Sequence, residues 1–283
     1  MLKFKSINDI KNQVRHNIHY FNKYDIVVGI PRSGMLIALM IGLELNKLTI
    51  QFSDLLDKNF KNKYSSRMNA IKQNNDRKLK IIICDDSINT GETIKKIKNQ
   101  IEVTGLNNLY EIHYFAAYAT KKSKDNIDLY FELIEQPRIF EWNLFHHEYG
   151  KNFLWDFDGV FCNDPSDLEN DDGEKYLNFL KYAEPKIIPS KPIGMIVSAR
   201  LEKYREQSID WLKKNSINYS TLFLLNSTAE LRKKNSLHKI FKAEVYSRTN
   251  SLLFIESDIQ QASWIYEKTQ KPVYCIETSQ FLN

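Results

Sequence analysis

Ile81-Ile82-Ile83-Cys84-Asp85-Asp86-Ser87-Ile88-Asn89-Thr90-Gly91-Glu92-Thr93 is the stretch on which the fold turns. The apolar run from Leu79 to Cys84 reads as a strand, and the amphipathic segment Thr93 to Val103 reads as the helix that follows it. Two adjacent acids and a Thr-Gly-Glu-Thr turn lie between them. Neighbouring carboxylates repel one another, so at a strand end they suggest a use, such as hydrogen bonding to vicinal hydroxyls or contact with a magnesium ion. The turn offers hydroxyls and backbone N–H groups to a phosphate monoester. The structural alternative is a surface turn in which Asp85, Asp86, Thr90 and Thr93 merely cap the helix.

Upstream, Val27-Val28-Gly29-Ile30-Pro31-Arg32-Ser33-Gly34 has the same plan: an apolar strand, a turn punctuated by Gly and Pro, then an apolar helix from Ser33 to Leu45. A helix N-terminus favours an anion, and Arg32 adds a guanidinium fork that can grip phosphate. Further strand-like runs follow at Leu109 to Tyr118 and Asp128 to Ile134. The aromatic-rich stretch Glu135 to Lys151 shows neither helical nor strand period and marks a junction, giving domains at 1–140 and 150–283. Strand-like runs resume at Asn152 to Phe157, Ile193 to Val197, Tyr219 to Leu225, Ser251 to Ile255 and Pro272 to Ile276. Helix-like stretches separate them at Leu201 to Lys214, Leu231 to Tyr246 and Asp258 to Thr269. Alternating strands and helices imply an α/β chain with parallel sheets, whose ligands bind beyond the carboxyl ends of the strands.

The second half opens with Phe153-Leu154-Trp155-Asp156-Phe157-Asp158-Gly159-Val160. Carboxylates at i and i+2 past a strand end can surround one site, one attacking phosphorus and the other shuttling a proton. Such a pair needs a cation, together with a hydroxyl and a lysine to hold phosphoryl oxygens. These parts follow in order: Ser198, then Lys239 or Lys242, then Glu256 and Asp258. For the first element alone, a calcium-like turn is the alternative. Neither the interval from Asp158 to Ser198 nor that from Ser198 to Lys242 is long enough for a separate cap domain. His146, His147 and Glu148 read as linker residues rather than metal ligands, and Trp142, Phe145 and Tyr149 as interface packing rather than a sugar platform.

Composition bounds these readings. The chain has 283 residues, 42% hydrophobic and 27% charged, which suits two globular domains. A net charge of +5, spread along the chain, gives no reason to expect nucleic-acid binding. Three distant cysteines give no disulfide framework and fit a reducing cytoplasm. The polar start, MLKFKSINDIKNQV, lacks the apolar centre of a signal peptide, and no apolar run reaches membrane-spanning length.

The first two motifs resemble those of the type I phosphoribosyltransferases, across roughly residues 20 to 135. The resemblance implies that Asp85 and Asp86 hold the ribose hydroxyls of phosphoribosyl pyrophosphate. Ser87, Asn89, Thr90, Gly91, Glu92 and Thr93 would cradle its 5-phosphate, while Arg32, Ser33 and Gly34 meet the pyrophosphate. A closing loop would come from Asp57 to Arg77, with Lys63, Tyr64 and Arg67 as phosphate contacts. The chain departs from purine-salvage members in lacking a late Lys-Pro pair. The later motifs, from about residue 150, resemble those of the capless haloacid-dehalogenase-like phosphatases. That implies Asp156 as nucleophile, Asp158 as acid/base and Ser198 with Lys242 at the phosphoryl group. Mg2+ would be held by Asp156, Asp158 and Glu256 or Asp258. Glu-Ser-Asp in place of paired aspartates leaves the last choice open.

With the Phe-Glu-Trp-Asn linker, the whole resembles fused proteins that install ribofuranose in bacterial surface polysaccharides. The implied fold is two Rossmann-like domains. The implied function is 5-phosphoribosyl transfer to a glycan acceptor, expected to be lipid-linked, then loss of the 5-phosphate. The expected setting is the cytoplasm, extending to the inner face of its membrane, with homo-oligomerisation left open. Nucleobase salvage with an accessory phosphatase, or a regulator that senses phosphoribosyl pyrophosphate, are the competing readings.

Overall fold

The apolar run at 79–84 is buried on both faces. In the computed structural model Leu79, Ile81 and Ile83 pack into one core cluster, while Ile82 and Cys84 pack into another. Alternation of side chains along a strand produces this division, and strands covered on both sides are those of parallel sheets. The structure describes residues 2–57, 63, 64, 66, 68, 77–234 and 237–283. They divide into a unit of Lys5–Trp142 and a second unit formed by the residues up to Phe4 with Asn143–Asn283.

The first unit carries β1 (Ile26–Gly29), β2 (Leu48–Gln51), β3 (Leu79–Ser87), β4 (Tyr110–Ala119) and β5 (Leu129–Leu133). They form a parallel sheet in the order β2-β1-β3-β4-β5. The chain leaves β1 on one side and returns to β3 on the other, so β1 and β3 flank the switch point where such sheets bind ligands. Gly29 lies in register with Cys84, and both motif loops therefore start side by side. Helices α1 (Ile7–His16), α2 (Gly34–Glu44), α3 (Phe52–Leu56) and α4 (Glu92–Thr104) belong to this unit. On α4 the inward face is Ile94, Ile97 and Ile101, all buried, each contributing about 1.5–3 kcal/mol on folding. Gly91, at φ 81°, makes the left-handed turn that opens α4.

The second unit carries β6 (Phe153–Trp155), β7 (Met195–Leu201), β8 (Thr221–Leu225), β9 (Leu253–Glu256), β10 (Val273–Cys275) and β11 (Gln280–Leu282). Their order is β8-β7-β6-β9-β10-β11, parallel except for the antiparallel pairing of β11 with β10. Trp155 pairs with Ile255, so Asp156 and Glu256 emerge next to each other at a second switch point. Its helices are α5 (Glu174–Tyr182), α6 (Arg205–Lys214), α7 (Ala229–Lys234), α8 (Leu237–Arg248) and α9 (Ile259–Thr269). Phe4 stacks on Phe281 with centroids 4.5 Å apart.

Most expected elements occur where the periodicity puts them, with bounds shifted by a few residues. The helix expected from Leu201 begins at Arg205, because β7 continues to Leu201, which pairs with Leu225 of β8. The aperiodic stretch 135–151 holds a short strand, Arg138–Phe140, and two 3-10 turns. No helix among the described residues is long and apolar enough to cross a membrane.

Gly34, the first residue of α2, packs directly on the end of β3: a Cβ there would lie 2.4 Å from the Cys84 carbonyl oxygen and 3.0 Å from Asp85 Cα. Both contacts are backbone, so a methyl group can be accommodated only by moving the helix. Gly34→Ala is expected to cost about 1–3 kcal/mol of stability, measured by urea denaturation. An unchanged midpoint would show that the helix start adjusts freely.

Candidate active sites

In the first unit the turn after β1 is tied to β3 by Ile30 N–H, which donates to the Cys84 carbonyl at 2.9 Å. The Pro31–Arg32 peptide is cis. Arg32 is exposed and forms no ion pair among the described residues. Ser33 is the N-cap of α2 but makes no side-chain capping bond. The turn and the acidic pair meet at Gly34, where a Cβ would lie 3.3 Å from Asp85 Oδ1.

In the last residues of β3, Asp86 N–H donates to Asp85 Oδ1 at 2.9 Å, and Trp142 Nε1 donates to Asp86 Oδ2, also at 2.9 Å. Burial, followed by the neighbouring charge of Asp86, pushes the Asp85 carboxyl up to about 8. From Ser87 the chain turns over a polar floor. Ile88 N–H donates to Tyr118 O, Arg138 Nη2 and Ser123 Oγ donate to Ile88 O, and Thr120 Oγ1 donates to Asn89 O. This floor holds the loop from beneath and leaves Asn89, Thr90, Glu92 and Thr93 exposed around the N-terminus of α4. Such an end presents N–H groups and a partial positive charge to an anion. Lys63 and Tyr64 both bond to Asp54, at 2.5 and 3.0 Å. Arg67 lies outside the described residues.

In the second unit one cavity of about 480 Å³ is lined by Asp156, Asp158, Ser198, Lys242 and Asp258, residues delivered by four separate segments. Lys242 Nζ donates to Asp156 Oδ2 at 2.7 Å, Glu256 Oε2 at 2.8 Å and Gln261 Oε1 at 3.0 Å. Burial alone would lower the lysine, but Asp156 and Glu256 hold it above its usual value. Asp156 is pushed upward by burial and by Glu256, with Lys242 opposing. Lys239, the other candidate, lies instead over the Trp264 ring. Ser198 is 1% exposed, and its Oγ accepts from Arg200 N–H at 3.2 Å.

Sequence reasoning passed over two residues here. Arg200 grips Asp158 through Nη2 at 2.6 Å and through Nε at 3.1 Å to both oxygens. Its guanidinium carbon sits 3.6 Å from the centre of the Phe157 ring, and its Nη1 reaches Ser208 Oγ. The Ser-Ala-Arg spacing was available as a signal: in a strand it sets residues 198 and 200 on the same face. Asp164 also lines the cavity, and burial followed by the charge of Asp158 raises its carboxyl.

The expected acids are not equally placed for a metal. Glu256 Oε2 is taken by Lys242, while its Oε1 accepts from Ser257 N–H at 2.9 Å. Asp258 lines the cavity and also caps α9, accepting from Gln261 N–H at 2.7 Å. Among the described residues no group of three or more His, Cys, Asp or Glu stands ready to hold an ion. The donor chemistry nonetheless fits a hard cation. Asp156, Asp158, Asp164 and Asp258 line the cavity with carboxylate oxygens, the donor type that a hard cation takes. His147 Nδ1 instead accepts from Tyr149 N–H at 3.0 Å, and His146 Nδ1 lies 3.2 Å from Ser190 Oγ.

A family model described as phosphoribosyl transferase domain matches residues 2–153. No curated protein matches the chain. Among solved structures, a purine phosphoribosyltransferase from Pyrococcus horikoshii is similar at 13% identity over 50% of this chain and 93% of that one, with TM-score 0.37. A xanthine-guanine-hypoxanthine phosphoribosyltransferase from Helicobacter pylori is similar at 10% identity over 51% and 93%, with TM-score 0.38. A chain of the Pnkp1/Rnl/Hen1 RNA repair complex is similar at 14% identity over 97% and 94%, with TM-score 0.30. Scores this low carry no inference.

The Asp85 shift has a direct consequence. A carboxyl whose folded value is raised lends stability while protonated, and that stability is lost as pH rises from the ordinary carboxylate range through about 8. Asp85→Asn keeps an oxygen to accept Asp86 N–H and removes the titration. The variant is expected to exceed the wild type in stability at pH 8.5 by on the order of 1–3 kcal/mol, with a smaller gap at pH 4.5. Urea midpoints at the two pH values check this, and a gap independent of pH would refute it.

Proposed function

The chain belongs to the phosphoribosyl transferase domain family, and from that premise we propose a two-step ribofuranosyl transfer. Its first unit would move a 5-phosphoribosyl group from phosphoribosyl pyrophosphate to a glycan acceptor, lipid-linked at the inner face of the cytoplasmic membrane. Its second unit, read as a haloacid-dehalogenase-like phosphatase, would then remove the 5-phosphate. The cavity shared by Asp156, Asp158, Ser198, Lys242 and Asp258 is the observation that carries the second step.

In the transfer step Asp85 and Asp86 would accept hydrogen bonds from the ribose hydroxyls. The exposed turn at 89–93 would receive the 5-phosphate on the N-terminus of α4. Arg32, exposed on the turn beside Asp85, would hold the departing pyrophosphate, whose bond to ribose C1 breaks as an acceptor hydroxyl attacks that carbon. In the hydrolytic step one Asp156 oxygen is bonded by Lys242 and the other would attack phosphorus. Asp158, oriented by Arg200, would give a proton to the leaving 5-oxygen and later take one from water. Ser198 and Lys242 would hold the phosphoryl oxygens. A magnesium ion held by Asp156 and Asp258, with Asp164 within the same cavity, would neutralise charge on the phosphoryl group. The interval between Asp158 and Ser198 carries the single helix α5, which supports an open mouth and a bulky substrate.

Asp156→Asn keeps the shape of the nucleophile while an amide replaces the attacking carboxylate. With phosphoribosyl pyrophosphate and the right acceptor, this variant is expected to accumulate acceptor one phosphoribosyl unit heavier, seen by mass spectrometry. Wild-type protein added afterwards should remove one phosphate. A dephosphorylated product from the variant itself would break the link between the two steps. Pyrophosphate release with nucleobases, and none with glycans, would favour salvage; no release with any acceptor would favour the sensor.

A further inference from the structure

We propose that Trp142 is a positioning residue for the transfer site, setting the Asp86 carboxylate to receive a ribose hydroxyl; this role rests on the transfer reading above. The bond is direct, Trp142 Nε1 to Asp86 Oδ2 at 2.9 Å, and Asp86 is only 8% exposed. An indole N–H can donate but never accept, so it claims one carboxylate oxygen as an acceptor. The Asp86 side chain also interacts with that of Asp85, and the ribose hydroxyl would be received at the carboxylate oxygen that Trp142 does not hold.

Trp142 is held by groups other than Asp86, which gives the contact its direction. Its ring stacks on Phe140 with centroids 4.7 Å apart and planes 1° apart, and Phe140 in turn stacks on Tyr118 of β4 at 5.2 Å. The preceding residue, Glu141, accepts from Ile7 N–H at 2.7 Å, at the start of α1. Two residues before Phe140, Arg138 bonds to the Ile134 and Ile88 carbonyls at 2.7 and 2.9 Å. The strand that leads to Trp142 is thus fastened to the same loop, 88–91, that follows the acidic pair. Asp86, by contrast, sits at the end of β3, next to its final residue Ser87, and its carboxylate without the indole bond could rotate about two side-chain torsions.

Trp142→Phe keeps an aromatic ring on Phe140 and removes the N–H. Calorimetric titration of the full chain with phosphoribosyl pyrophosphate and with inorganic pyrophosphate, both with magnesium, reads the effect. Pyrophosphate carries no ribose and should meet the Arg32 turn alone. The variant is expected to bind phosphoribosyl pyrophosphate about 10-fold more weakly, the loss for a hydrogen bond to a charged group, and pyrophosphate as the wild type does. Equal weakening of both ligands would reduce Trp142 to packing, and unchanged phosphoribosyl pyrophosphate affinity would also overturn the role. A wild-type chain that fails to bind phosphoribosyl pyrophosphate would instead remove the transfer reading, and this role with it.

Discussion

Acids delivered from buried strands are the constraint around which both units are arranged. Ile81 to Cys84 of β3 and Phe153 to Trp155 of β6 are completely buried apolar runs, and each is followed directly by a carboxylate. A charge leaving water without a partner is costly, so each site needs a device to neutralise it. The two units use different ones. Beside β3 the device is a proton: burial and Asp86 raise Asp85 to about 8. Beside β6 it is an ammonium group, with Lys242 bridging Asp156 and Glu256.

These devices lead to different kinds of site. A protonated acid can exchange its proton for a hydroxyl donor or a cation without breaking an ion pair, so the first unit is soft in its electrostatics until substrate arrives. The second is stiff. Lys242 and Arg200 are buried cations, each bonded to an acid that lines the cavity, and both cation–acid distances are below 2.8 Å. Removing either cation would leave an uncompensated acid, a change in the range of about 3–5 kcal/mol when the pair is buried. Stability and the proposed phosphatase chemistry would there rest on the same bonds.

Much of this was legible in the sequence because it is local. Apolar runs of strand length, acids at their ends and the following helices all lie within about a dozen residues of one another. The pairing of Trp155 with Ile255 then brings Asp156 to Glu256 because parallel strands share a direction. β2 was missed: Leu48–Gln51 is four residues long and its alternation is lost beside the apolar α2. Arg200 was passed over, and Trp142 was read only as interface packing, for another reason. Arg200 bonds to Asp158 and Trp142 to Asp86, partners distant in sequence, and no periodicity encodes such a pair. The stretch around Trp142 looked aperiodic because its order comes from stacked rings rather than from a repeating backbone.

The grouping of residues up to Phe4 with Asn143–Asn283 has a consequence for how the molecule is made. On the ribosome, Phe4 is made before all of Lys5–Trp142, yet the ring on which it stacks, Phe281, is made after it. Lys5–Trp142 is translated in between, so every strand of its sheet is available while β6 to β11 are still to come. The opening residues must therefore wait, unpaired with their final ring, until the last antiparallel strand has been synthesised. Vectorial synthesis thus gives the first unit a head start and lets the Phe4–Phe281 stack of the second form only after β11 has been made.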